Sequence, residues 1–137
     1  FQPAKLASVI FSDRAALEIV ESHLFPALKD DFASFAGKCG EGIVVFESAT
    51  VLEKPQFDGF GDKVILVDAP FEVRLERACR RDGTDRDRVL ARMQNQKLMN
   101  ALSEGSEDPR IDCRIMNDGS LEELVSRTKN AINSLIS

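Results

Sequence analysis

Residues 63–92 read KVILVDAPFEVRLERACRRDGTDRDRVLAR. Lys63 to Asp68 is a short, continuous, β-branched apolar run, which predicts a strand buried on both faces, as in a parallel sheet. Ala69-Pro70 then opens a helix over about 70–81, since proline in a first turn lacks only an N–H that has no helical partner there. Asp82-Gly83-Thr84 breaks this helix, and Thr84 or Asp85 caps another that runs to about residue 102. A strand passing directly into helices is the repeating unit of an α/β fold.

The flanking sequence repeats that alternation. Residues 3–10 and 13–35 carry apolar positions at helical spacing (Ala16, Leu17, Val20, Leu24, Leu28, Phe32, Phe35), with Ser12 or Asp13 as N-cap and Pro26 dividing or kinking the longer stretch. Gly40 and Gly42 precede Ile43-Val44-Val45-Phe46-Glu47, which predicts a second strand buried on both faces. Downstream, 103–109 is polar and predicts a mobile loop, and 112–116 predicts a third strand. Asn117-Asp118-Gly119 makes a turn, and Ser120 with Glu123 forms a capping box for a last helix over 121–135. Right-handed crossovers between such strands give a parallel sheet.

With 137 residues, 43% hydrophobic and 30% charged, the chain has the size of one globular domain spanning 1–137. A net charge of −5 argues against a general nucleic-acid surface, which needs excess cations. No apolar run is long enough to span a membrane and no signal-peptide layout is present, so the expected location is cytoplasmic; a monomer or weak oligomer is expected, although the sequence does not fix the assembly. Cys39, Cys79 and Cys113 are odd in number and lack metal or disulfide spacing, which predicts buried, reduced thiols. The chain begins without Met and enters a helical pattern at once, from which we expect further sequence upstream.

The chemistry concentrates in one place. Seven of the eleven arginines (Arg74, Arg77, Arg80, Arg81, Arg86, Arg88, Arg92) fall within 74–92, and none of the seven lysines does. Guanidinium offers a planar fork of donors suited to phosphate, so the bias toward Arg over Lys points to an anion site. Arg74, Arg77 and Arg81 share one helix face and Arg88 and Arg92 another, and the two faces meeting at Asp82-Gly83 suggest a cationic clamp. The alternative is that Glu72, Glu76, Asp82, Asp85 and Asp87 simply neutralise these arginines as surface ion pairs. Glu47 and Glu53 lie where open α/β sheets bind ligands and are read either as functional carboxylates or as solvated and capping ones. His23, the single histidine, fits a surface or packing role. No Ser-His-Asp order, metal-ligand cluster or G-x-x-x-x-G-K sequence followed by Ser or Thr occurs.

The string VFESATVLEKPQFDGFGDKVILVDAPFEVRLERACRRDGTDRDRVLARMQNQ resembles the core of the dephospho-CoA kinases, P-loop kinases in which a PLLFE-like element (here ATVLE) leads to a strand, an arginine-rich helix and a lid. IMNDGSLEELVSR is similar to that family's closing strand, turn and helix, and LASVIFSDRAALEIVE to its stretch around IVFSD. The resemblance covers nearly the whole chain and implies a P-loop nucleotide kinase fold. It also implies transfer of the ATP γ-phosphate to the 3′-hydroxyl of dephospho-CoA, with ATP and magnesium as substrate and metal and no tightly bound cofactor. By the same resemblance, Arg77, Arg81, Arg92, Asn117 and Gly119 are expected at ATP, Glu53 and Gln96 at the acceptor, and 82–110 as the lid.

Where the family has His-Pro, Phe25-Pro26 stands here, ATVLE lacks the family's Pro, and Ile111-Asp112 replaces Ala-Asp. The family's P-loop and catalytic aspartate are expected upstream of Phe1, so the 137 residues alone are expected to be inactive. The P-loop strand belongs between the strands at 43–47 and 63–68, which are therefore expected to show unpaired edges unless a second copy fills the gap by swapping. The competing readings are another nucleotide kinase of the same fold, or a non-catalytic nucleotide- or CoA-binding module.

Overall fold

In the computed structural model, which describes residues 2–10, 12–94 and 96–136, the chain divides into two units, Phe1–Asp58 and Gly59–Ser137. Asp13 sets the start of the main helix of the first unit: its carboxylate accepts from the N–H groups of Ala15 (2.9 Å) and Ala16 (3.1 Å). This helix, α2 (Arg14–Cys39), follows a short α1 (Pro3–Ile10). Pro26 lies inside α2, which runs on past it to Cys39. Of the two expected outcomes, a division at Pro26 does not occur: one missing N–H removes one hydrogen bond, to the Ser22 carbonyl, and the turns on either side carry the helix across.

The second correction in this unit concerns 43–47, which belongs to no helix or sheet. Rather than being buried on both faces, it alternates: Val44 and Phe46 are half-buried, whereas Ile43 and Val45 are 58% and 75% exposed. Among the described residues of the unit no second strand pairs with it. Its inward anchor is Phe46, whose ring lies 5.3 Å from that of Phe32, edge-on, and 5.8 Å from that of Phe57, stacked. Phe57, in the 3-10 turn Pro55–Phe57, is the buried centre of this cluster, and Phe25 packs edge-on against it at 5.0 Å. Edge-on and offset-stacked rings at such spacings add to the stabilisation from area burial alone. Phe25 thus has a packing role.

In the second unit the strands are β1 (Ile65–Asp68) and β2 (Cys113–Met116), paired in parallel with Ile65 opposite Cys113 and Asp68 opposite Met116. β1 begins two residues later than expected because Asp112 claims the preceding backbone. Its carboxylate accepts from Val64 N–H (2.8 Å) and Lys63 Nζ (2.9 Å), while its own N–H donates to the Val64 carbonyl. β1 is also not covered on both faces: Leu66 and Asp68 are buried, but Val67 is 53% exposed.

Helix α3 (Phe71–Asp82) follows, capped by Pro70 rather than containing it, and ends at Gly83. Gly83 takes φ 56° and ψ 30°, the left-handed geometry that glycine adopts without a Cβ penalty, and its N–H returns to the Cys79 carbonyl. The reversal lays α4 (Arg86–Gln94) against α3, with Leu75, Val89 and Met93 buried between them and Phe71, Ala78, Cys79 and Leu90 around them. Burying Leu75 and Val89 contributes about 1.5–3 kcal/mol each. The single helix expected to residue 102 is in fact two. Gln96, at ψ 67°, is not helical, and α5 (Lys97–Ser103) starts after it; Asn95 lies outside the described residues, as does Phe11 of the IVFSD-like stretch.

The last helix, α6 (Leu121–Ile136), begins at the expected capping box: Glu123 N–H donates to Ser120 Oγ (3.2 Å) and Ser120 N–H to Glu123 Oε2 (2.7 Å). The thiols correct another expectation, because Cys39 is exposed and Cys79 and Cys113 only half-buried. α2 ends at Cys39 on the unit's outside, and its apolar packing is carried by the phenylalanines instead. Among the described residues no helix is long and apolar enough to cross a membrane.

Candidate anion site of the second unit

Parallel strands in an open α/β sheet present ligands to the loops beyond their carboxyl ends. Here both carboxyl ends open onto one cleft. Its volume is about 300 Å³, and its lining includes Val67, Asp68, Arg74, Arg77, Arg81 and Asn117. Asp68 closes β1 and Asn117 follows β2, while the three arginines come from the single face of α3 that their spacing predicts. Arg77, Arg81 and Asn117, three of the residues singled out in the sequence, are thus brought together.

Each arginine is held differently. Arg77 donates from Nη1 to the Asn117 carbonyl at 2.7 Å, and Asn117 N–H in turn donates to the Asp68 carbonyl at 2.6 Å, so helix and turn are tied at the mouth of the cleft. Arg81 donates from Nε to Asp82 Oδ1 (2.7 Å) and from Nη2 to Oδ2 (3.3 Å). Arg92, from α4, donates from Nη2 to the same Oδ2 at 2.5 Å. The two guanidinium groups hold the Asp82 carboxyl down to about 2, through the hydrogen bond from Arg81 first and that from Arg92 second. This places Arg92 beside Arg81 through ion pairs to Asp82, one of the acids that the alternative reading names.

Several of the other arginines are neutralised on the surface, as the alternative reading had it. Arg80 pairs with Glu76 (2.5 Å) and Arg86 with Glu72 (2.8 Å). Arg88 is exposed and takes no acceptor among the described residues. Arg74 turns inward: Nε donates to the Ala69 carbonyl (3.1 Å), Nη2 donates to Ser103 Oγ (3.2 Å), and its guanidinium stacks over Phe71.

Behind Arg74 lies a group that sequence reasoning passed over. Asp68 is 2% exposed, accepts from Arg114 and from Ser103 Oγ (3.2 Å), and stands 3.9 Å from Arg74. The sequence did carry a signal, an acid ending an apolar strand, but its partners stand 35 and 46 positions away.

The remaining expected residues lie elsewhere. Gly119 neighbours the capping box, where a Cβ would meet Glu123 Oε2 at 2.0 Å, so its lack of a side chain has a local cause. Gln96 is exposed at the break between α4 and α5. Glu53 is exposed in the 3-10 turn Val51–Glu53 of the first unit, and Glu47 is exposed as well. His23 bonds to the Ile19 carbonyl at 2.8 Å on its own helix. No group of three or more His, Cys, Asp or Glu that could hold a metal occurs among the described residues.

Comparison with known proteins gives a consistent picture. Residues 1–123 match the family model CoaE: Dephospho-CoA kinase. The chain is 36% identical over 107 residues to the dephospho-CoA kinase of Porphyromonas gingivalis, a match that covers 78% of this chain and 52% of that protein. With the dephospho-CoA kinase of Deinococcus radiodurans it shares 33% identity over 135 residues, covering 96% of this chain and 62% of the other. Among solved structures, the Thermus thermophilus protein TT1252 superposes with a TM-score of 0.80 at 28% identity, covering 98% of this chain and 66% of that one. The dephospho-CoA kinase from Campylobacter jejuni gives 0.55 at 20% identity over 98% and 65%, a likeness of fold alone. The chain spans about half to two-thirds of the length of the curated relatives it matches.

Proposed function

From a chain that belongs to the dephospho-CoA kinase family, we propose that the full-length protein transfers the γ-phosphate of ATP to the 3′-hydroxyl of the ribose of dephospho-CoA, and that the cleft at the ends of β1 and β2 receives ATP. The observation that carries this reading is the convergence of Arg77, Arg81 and Asn117 on a cleft beyond the carboxyl ends of two parallel strands. Phosphoryl transfer needs little covalent chemistry from protein; it needs the phosphates positioned and their charge offset by donors that are already oriented. Guanidinium groups anchored at one edge and open at the other meet that need.

In this reading Arg77, Arg81 and Arg92 contact the ATP phosphates, and the Asn117–Gly119 turn borders the adenine. Glu53 and Gln96 serve the acceptor, and 82–110 moves as the lid. The break at Gln96 supplies a joint within that segment, and non-helical element ends of this kind absorb the φ/ψ change of a closing lid. Magnesium would enter with ATP as part of the substrate and offset the charge of its phosphates. A G-x-x-x-x-G-K sequence is not found in these 137 residues, and the base that takes the proton from the 3′-hydroxyl is not assigned to any of them.

The test is turnover by the purified full-length protein, following ADP release and coenzyme A formation together. ADP production that requires dephospho-CoA, with equal coenzyme A formed, is the expected result. A folded full-length protein that consumes no ATP with dephospho-CoA, or that prefers nucleoside monophosphates, overturns it.

A further inference from the structure

We propose that Asp82 is a positioning residue for phosphoryl transfer, holding Arg81 and Arg92 side by side so that their remaining N–H donors address one polyphosphate chain. This rests on the kinase reading above. The argument begins with where the two arginines come from. Arg81 sits in the last turn of α3 and Arg92 in the last turn of α4, and the Leu75–Val89–Met93 core with the Gly83 reversal fixes those two helices against each other. Two guanidinium groups brought together by packing alone repel. The Asp82 carboxylate between them offsets that repulsion, accepting from both.

Donor use decides between positioning and blockade. Arg81 commits Nε and one Nη2 proton to Asp82, which leaves both Nη1 protons and the second Nη2 proton; Arg92 commits one Nη2 proton and keeps Nε and Nη1. Neither fork is used up. A phosphate can therefore be bound on the open edges without displacing the carboxylate. Of the trio, Arg81 lines the cleft beside Arg77 and links the other two to it. Long arginine side chains lose rotamer freedom when a ligand orders them, and an acceptor already present imposes that order beforehand. The two guanidinium groups hold the Asp82 carboxyl down to about 2, so it remains an acceptor for both at neutral pH.

The test uses the full-length protein with steady-state kinetics in both substrates. Asp82→Asn keeps the shape and loses the charge; it is expected to raise the KM for ATP about tenfold while leaving that for dephospho-CoA unchanged. Asp82→Glu should restore part of the loss. Arg92→Gln should raise the KM for ATP similarly, and adding Asp82→Asn to it should do little more, because both act through one unit. The thermal midpoint should not move. An ATP KM that is unchanged or lowered in Asp82→Asn overturns the proposal, the lowered value showing a carboxylate that competes with phosphate. A rise in both KM values with a fallen thermal midpoint also overturns it, in favour of a structural role. If the wild-type protein fails to turn over dephospho-CoA, the kinase reading falls and this inference with it; if it turns over normally and only the ATP effect is missing, the inference falls alone.

Discussion

Asp68 and Asp82 are the same side chain in two settings of one unit, each gathering two arginines, Asp68 from elements far apart in sequence and Asp82 from one helix–reversal–helix. Asp68 closes β1, is 2% exposed, and takes Arg114 from β2, Ser103 from α5 and the nearby Arg74 from α3. Asp82 ends α3 with its side chain 24% exposed, and takes Arg81 and Arg92, whose side chains are 73% and 56% exposed. What differs is the water around them. A carboxylate taken out of solvent is stable only with its partners, and its partners only with it, whereas an exposed ion pair gains little because water competes for both ends. The buried cluster is therefore expected to govern folding, and the exposed one to govern where two side chains point.

The sharpest way to break this contrast is Asp68→Ala. Removing the acid leaves Arg74 and the partly exposed Arg114 without their acceptor, which costs about 2 kcal/mol of unfolding free energy. Chemical denaturation of the full-length protein reads this directly as a lower midpoint at unchanged slope. A midpoint equal to wild type would mean that the Asp68 cluster is no more than a surface pair and would remove the distinction.

The two aspartates also differ in how visible they were. The ion-pair cluster at Asp82 was legible because its members lie close in sequence: Arg81, Asp82, Gly83 and Arg92 fall within one helix–reversal–helix. The Asp68 cluster was not, since residues from four elements meet there, and their pairing depends on the parallel register of β1 with β2 and on where α5 returns. Local rules account equally for the Asp13 cap and the Ser120–Glu123 box. They failed at 43–47, where a run of apolar residues says nothing about whether a partner strand lies alongside, and at Gln96, where periodicity continued through a break in the backbone. At Pro26 the local rule allowed a division or a kink, and the helix is not divided.

Gly119 sharpens the comparison from a third position, the turn that leaves β2. A methyl group there meets Glu123 Oε2 at 2.0 Å, and because that atom ends a flexible side chain, Glu123 swings away rather than the backbone. Gly119→Ala is expected to cost about 1 kcal/mol, the worth of the lost reciprocal cap on α6. Paired denaturation of Gly119→Ala and Glu123→Ala checks this: the two losses should match, and the double variant should lose no more than either. Fully additive losses would show that the glycine serves something other than the cap.

The smallest effect is the titration of Asp82 itself. Its carboxyl is lowered from 3.8 to about 2 in the folded protein. A folded-state value below the unfolded one means that the stabilisation from the pair is fully present above about pH 4 and is lost as pH falls through about 2. Acidification from neutrality to pH 4 should thus leave the clamp intact. Because the group is in water, the effect on overall stability is small, so the useful readout is the carboxyl carbon chemical shift of Asp82 in an NMR titration. Arg81, through the first and larger cause of the shift, should matter more than Arg92: Arg81→Gln is expected to return the Asp82 midpoint further toward 3.8 than Arg92→Gln does. The reverse order, or a wild-type midpoint near 3.8, would mean that the arginines are not held by this carboxylate in solution, and the assignment of order to Asp68 and aim to Asp82 would lose its second half.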